Sequence, residues 1–324
     1  MTVPDRNWPA WLLMGIFATV VATSASDYSL LVPEQHRRYE MHDAIVSGTA
    51  PSPQRFRILV PWLLHPVIDA AAAYTDREQA FRRVYFAFHF AALTALIGGV
   101  YLYSRLWFSR PQSLIGALVV ASTLRLVLRM GEYWDFSPIP DRSWFAPWSL
   151  LEPVFVAAAL LLLARRQLAA VAGVTIAAAA NSEASFLIPL FACVLPNQDR
   201  RDGPVLMALW FTVTVLIRAG VGGFQLPSVT VGENLSHLPA TAVNLGLFLG
   251  AASALIVAGF AGAPRFARRA LLASAVLTAA VAIYGYWWDV RLLTPLYPVV
   301  APVLLAGIFQ PGGGAGAAAA DRES

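Results

Sequence analysis

Long apolar runs recur from one end of the chain to the other, and no other feature limits its folding as much. They fall at 10–26, 84–104, 113–130, 147–164, 167–182, 184–196, 204–220, 241–261, 269–287 and 293–309. A hydrocarbon core about 30 Å thick is crossed by about 20 helical residues, and inside it a lone segment satisfies its own backbone only as a helix. The pattern therefore predicts an all-α, polytopic transmembrane helix bundle of about ten spans, several of them short, forming one domain over 1–310. Composition agrees, with 58% of residues hydrophobic and 13% charged, against about 25% charged in a typical soluble domain. The tail 311–324, rich in glycine and alanine, is expected to be disordered.

Charge placement orients the bundle. Short cytoplasmic loops are enriched in basic residues, and Arg105 with Arg110, Arg165 with Arg166, Arg200 with Arg201, and Arg265 with Arg268 and Arg269 fall on alternate loops. Arg6 joins that side only if an even number of crossings separates it from Arg105. The apolar but interrupted segment 58–74, which carries Pro61, His65, Pro66 and Asp69, is then a helix lying on the membrane. On this reading the N-terminus is cytoplasmic and residues 27–83 form one long external loop, with interfacial helices at 34–47 and 58–74.

All 23 basic residues are arginines. They sit singly or in short groups between apolar segments and form no continuous stripe, which argues against nucleic-acid binding. Cys193 is the one cysteine, so no internal disulfide can form.

Several constellations could carry chemistry. Asp27, directly after the first apolar run, suits either a general base at a cavity mouth or an interfacial anchor. His36, His42 and Asp43 offer metal-ligand types without an established ligand spacing, and a solvated interfacial helix is the reading favoured over metal. In GTAPSPQRFRILVP, Arg55 and Arg57 present guanidinium forks at headgroup depth, suited to a phosphate of a substrate or of a lipid. Glu132 and Asp135 stand among Tyr133, Trp134 and Phe136, and Asp289 and Arg291 follow Trp287 and Trp288. Aromatic faces beside carboxylates suit a sugar, and they also suit the aromatic belt of any membrane protein. Glu183 breaks an apolar stretch and needs a cationic partner, for which Arg125, Arg129 and Arg291 are candidates.

The order of a first span, an acid at once (Asp27), a long external loop with interfacial helices, and many further spans resembles the GT-C superfamily of polytopic membrane glycosyltransferases. The string PSPQRFRILVPWLL, with Asp289 and Arg291 before the last span, looks like strings in bacterial membrane proteins of that type. The resemblance covers mainly residues 10–110. It implies transfer of a sugar from a polyprenyl-phosphate donor at the outer face of a bacterial inner membrane, with Asp27 as catalytic base and a divalent metal optional. Membrane lipid and the lipid-phosphate-linked sugar donor are the implied partners. A transporter or flippase of a lipid-linked or anionic substrate, or a non-catalytic membrane protein, is the competing expectation. Transporters often show internal repeats, and none is evident here.

Overall fold

The computed structural model describes residues 8–31, 35–52, 54–133, 148–196, 198–222, 229–236, 238, 252–285, 287 and 290–309. Within them every regular element is helical and no strand occurs. In chain order these are α1 (Trp8–Leu31), α2 (Gln35–Val46), α3 (Leu59–Ala72), α4 (Arg77–Ser104), α5 (Arg110–Tyr133), α6 (Trp148–Ala164), α7 (Leu168–Asn181), α8 (Leu187–Val194), α9 (Asp202–Val221) and α10 (Val231–Ser236). A helical run at 252–260 (α11) precedes α12 (Arg265–Tyr284) and α13 (Tyr297–Ile308). Short 3₁₀ turns at Gln54–Phe56, Glu183–Phe186 and Val290–Leu296 link them.

Three of the described helices, α4, α9 and α12, are long and apolar enough to cross a membrane. Shorter apolar helices of 10–17 residues account for 9–21, 59–72, 149–164, 168–181, 183–194 and 292–308. The chain is thus an all-helical membrane protein. The expected span 241–261 lies largely outside the described residues.

Local chemistry explains the helix ends that shape the site. Asp76 caps α4, its carboxylate accepting from Gln79 N at 2.8 Å, which leaves Arg77 in the first turn. Gly222, with φ of 96°, ends α9 in the left-handed region that glycine occupies without strain. Between α7 and the turn Glu183–Phe186, Ser182 is extended and its hydroxyl accepts from Ala184 N at 3.2 Å. That cap turns the chain back and sets Glu183 at the tip.

The bundle packs α1 against α4 and α5, α4 against α6, α6 against α7, and α9 against both α7 and α8. One core centres on Tyr103, Phe108, Leu160, Leu187 and Phe191, and a second on Met14, Leu93, Leu96, Ile97 and Leu124. Two smaller clusters hold residues 35–77 onto this frame. Val60 and Ile68 of α3 pack on Ala80, Phe81 and Tyr85 of α4. Ile45, Ala50 and Ile58 pack with Ile217 and Val221 of α9.

The described part of the segment 27–83 is largely helical. α2 and α3 cover most of the two expected interfacial helices. α1 runs on to Leu31, so Asp27 belongs to that helix and not to the loop after it. α3 has 14 residues, about 21 Å at 1.5 Å per residue, short of the bilayer core. Trp62, Leu63 and Val67 of α3 are exposed, while Val60 and Ile68 are buried.

Candidate functional site

Two polar clusters gather around residues 39–85. The first is built by α2, α3 and α4. His42 is fully buried. Its Nδ1 lies 2.9 Å from the Tyr85 hydroxyl, and its Nε2 lies 3.2 Å from His65 Nδ1. One helical turn beyond His65, Asp69 faces His65 Nε2 at 3.5 Å. Arg77, positioned by the Asp76 cap, reaches Asp69 at 3.2 Å and Asp43 at 3.5 Å.

Burial dominates the electrostatics of this cluster. It pushes the pKa of His42 down to about 4, helped by the nearby His65 and Arg77 and opposed by Asp43 and Asp69. His42 is therefore a neutral imidazole at ordinary pH. Burial, with Asp43 beside it, raises the Tyr39 phenol.

The second cluster joins the loop before α3 to the far half of the chain. Arg57 Nε donates to Glu183 Oε2 at 3.3 Å, and Arg218 Nη2 donates to Glu183 Oε1 at 3.3 Å. Phe56 lies between two further cationic contacts, with Arg55 4.8 Å and Arg218 4.9 Å from its ring centre. Arg55 Nε is buried without a hydrogen-bond partner among the described residues. Phe56, Ser182, Thr214 and Arg218 line a small, partly open hollow that reaches Glu183. Trp210 of α9 donates to Ser185 Oγ at 2.8 Å and pins the Glu183 turn to α9.

Chemically, the first cluster offers ligand nitrogens and carboxylates, and the second gathers guanidinium groups around one aromatic ring and one carboxylate. Guanidinium forks suit phosphate or carboxylate ligands.

Of the site residues expected from the sequence, Arg55, Arg57 and Glu183 come together, and His42 and Asp43 form part of the neighbouring cluster. Among the described residues Glu183 meets Arg57 and Arg218, and the side chains of the expected partners Arg125, Arg129 and Arg291 lie outside the described residues. The backbones of Asp27, Glu132 and Arg291 lie in α1, α5 and the turn Val290–Leu296, and their side chains fall outside the description, as do Asp135 and Asp289 altogether. His36 likewise contributes no described side chain. Beside His42 and Asp43 stands His65.

His65, Asp69, Arg77, Tyr85 and Arg218 were not among the expected site residues. Two signals for them existed. His65 and Asp69 are spaced i, i+4 and so share a helix face, and Arg218 is a charge inside an apolar run.

No family model, curated protein or solved structure matches the chain.

Proposed function

We propose that the chain is a polytopic glycosyltransferase of the GT-C type, taking its sugar from a lipid-phosphate donor at the outer face of a bacterial inner membrane. About ten crossings, a cytoplasmic N-terminus and an α3 lying in the interface complete the reading. The observation that carries it is the meeting of Arg55, Arg57 and Arg218 around Phe56 and Glu183, with a buried Arg55 donor that has no hydrogen-bond acceptor among the described residues. An anionic group placed there would face several guanidinium groups at once. The exposed Trp62, Leu63 and Val67 of α3 suit the lipid chain that such a donor carries.

In this reading the acceptor oxygen bonds to the anomeric carbon as the bond from that carbon to the phosphate oxygen breaks. The acceptor proton passes to Asp27, and the lipid phosphate leaves as an anion held by the arginines. Charge stabilisation at the leaving phosphate matters most, because the sugar passes through an oxocarbenium-like state. Glu132, Asp135, Asp289 and Arg291 are the candidate contacts for sugar hydroxyls and the donor phosphate.

The test is binding of polyprenyl phosphate, the leaving group itself, to the full chain in nanodiscs, with the uncharged polyprenol as control. The expected result is a preference for the phosphate that falls about tenfold or more in Arg57→Ala. Equal binding of phosphate and alcohol sinks the reading. Movement of labelled lipid phosphate across vesicles, without sugar transfer, would favour the transporter instead.

A further inference from the structure

The imidazoles of α2 and α3 meet nitrogen to nitrogen. His42 Nε2 stands 3.2 Å from His65 Nδ1, and with a carboxylate oxygen of Asp43 these ligand atoms all lie within 4.8 Å of one another. Each ring has its outer nitrogen engaged, His42 Nδ1 with the Tyr85 hydroxyl at 2.9 Å and His65 Nε2 with Asp69 Oδ2 at 3.5 Å.

A carboxylate behind an imidazole holds the proton on the nitrogen that faces it and turns the other lone pair forward. In His65 the forward lone pair is Nδ1, aimed at His42. If the Tyr85 hydroxyl accepts from His42 Nδ1, two lone pairs confront each other across 3.2 Å, beside Asp43 Oδ1, a buried atom that faces Arg77 at 3.5 Å and has no closer hydrogen-bond partner among the described residues. A cation among these atoms resolves that confrontation. Bond lengths of about 2.0 Å in a tetrahedral site put two ligand nitrogens about 3.3 Å apart, close to the separation here.

We propose that His42, His65 and Asp43 bind one divalent transition metal ion, zinc by ligand type, with a fourth position open on the side where His65 and Asp43 are partly exposed. Charge supports this choice. Asp43 and Asp69 contribute two negative charges and Arg77 one positive, so the ion enters a region of net −1. Imidazole and carboxylate together suit zinc better than they suit magnesium or calcium, which favour all-oxygen shells. Tyr85 and Asp69 act as positioning residues, one behind each imidazole. Three protein ligands with one open position is the arrangement of zinc sites that activate a bound water or polarise a substrate oxygen.

The competing arrangement uses the same atoms without metal. There, Tyr85 donates to His42, His42 to His65 and His65 to Asp69, giving a hydrogen-bonded chain with no place for an ion.

The experiment uses the full chain in detergent, stripped with chelator and titrated with Zn²⁺, and with Co²⁺ as an absorbing probe. The expected result is about one equivalent per chain, with the tetrahedral cobalt spectrum of a mixed nitrogen and oxygen site. Asp43→Asn and His65→Asn should each weaken binding about 100-fold or more, and Tyr85→Phe about tenfold. Arg57→Ala, in the other cluster, should leave metal binding unchanged, so this test stands apart from that of the lipid phosphate. Less than about a tenth of an equivalent bound, or unchanged affinity in folded His65→Asn, overturns the site. Should that variant fail to fold, the wild-type chain decides. A melting temperature that zinc does not raise, and chelator does not lower again, overturns the proposal equally.

Discussion

Arg57 donates through Nε to Glu183 Oε2 at 3.3 Å, joining residues 126 positions apart in the chain. Arg218 meets the other oxygen of the same carboxylate at 3.3 Å, from 35 positions away in the opposite direction. One carboxylate thus ties the segment before α3, the α7 turn and α9 together.

Removing that carboxylate should therefore cost stability. The side chains of Arg57 and Arg218 are 19% and 17% exposed and that of Glu183 is 34% exposed, so the ion pairs are only partly screened. Glu183→Gln leaves two guanidinium groups converging on a neutral amide and should destabilise the fold by about 2 kcal/mol. Thermal unfolding in detergent reads this, and the double variant with Arg57→Ala should show a clear departure from additivity.

Arg57 should also distinguish charge from shape. Arg57→Lys keeps the charge and loses the planar fork. It should bind polyprenyl phosphate more weakly than the wild type, by about three- to tenfold, and better than Arg57→Ala. Equilibrium binding in nanodiscs at two ionic strengths checks both the order and the electrostatic origin.

His42 should make the metal-free chain acid-sensitive. Burial lowers its folded-state pKa from 6.5 to about 4. Below pH about 6.5 the unfolded chain takes up a proton that the folded chain refuses until about 4. Stability is therefore complete above pH 6.5 and declines as pH falls from 6.5 to 4, by at most about 3 kcal/mol. The groups facing His42 are Asp43 on its own helix, His65 and Asp69 on α3, and Tyr85 and Arg77 on α4. Melting curves of chelator-treated protein between pH 4 and 8 should show the slope, and His42→Asn should flatten it.

Helix packing far from the site gives a separate test. α11 and α13 approach closely at Gly259 and Gly307. A Cβ on Gly307 would collide with the Leu255 carbonyl oxygen and come within 3.2 Å of Gly259 N. Small residues let membrane helices touch backbone to backbone, so Gly307→Ala should cost about 1–3 kcal/mol. Gly15→Ala has nothing within 4 Å of its Cβ and should be close to neutral under the same assay.

Local patterns in the chain were enough for some of this. Runs such as 84–104 and 204–220 carry enough apolar residues to be read as helices, and α4 and α9 are there. The polar interruption at Asn181, Ser182 and Glu183 reads as a turn, because serine caps and a charge cannot rest against lipid unpaired. The grouping of Arg55 and Arg57 before an apolar helix was legible for the same reason.

What the sequence by itself determined is the class of molecule: an all-helical membrane chain with a long polar segment near its start. Periodicity and composition are properties of neighbouring residues, so they reveal which stretches become helices and which faces are apolar. Only the tertiary structure decided that Glu183 belongs with Arg57 and Arg218, and that His42 meets His65. Those choices follow from how α3 packs on α4 and how the segment around Ile45 and Ile58 packs on α9. Helix contacts of that kind depend on side-chain shape across the bundle, which no single stretch of sequence contains.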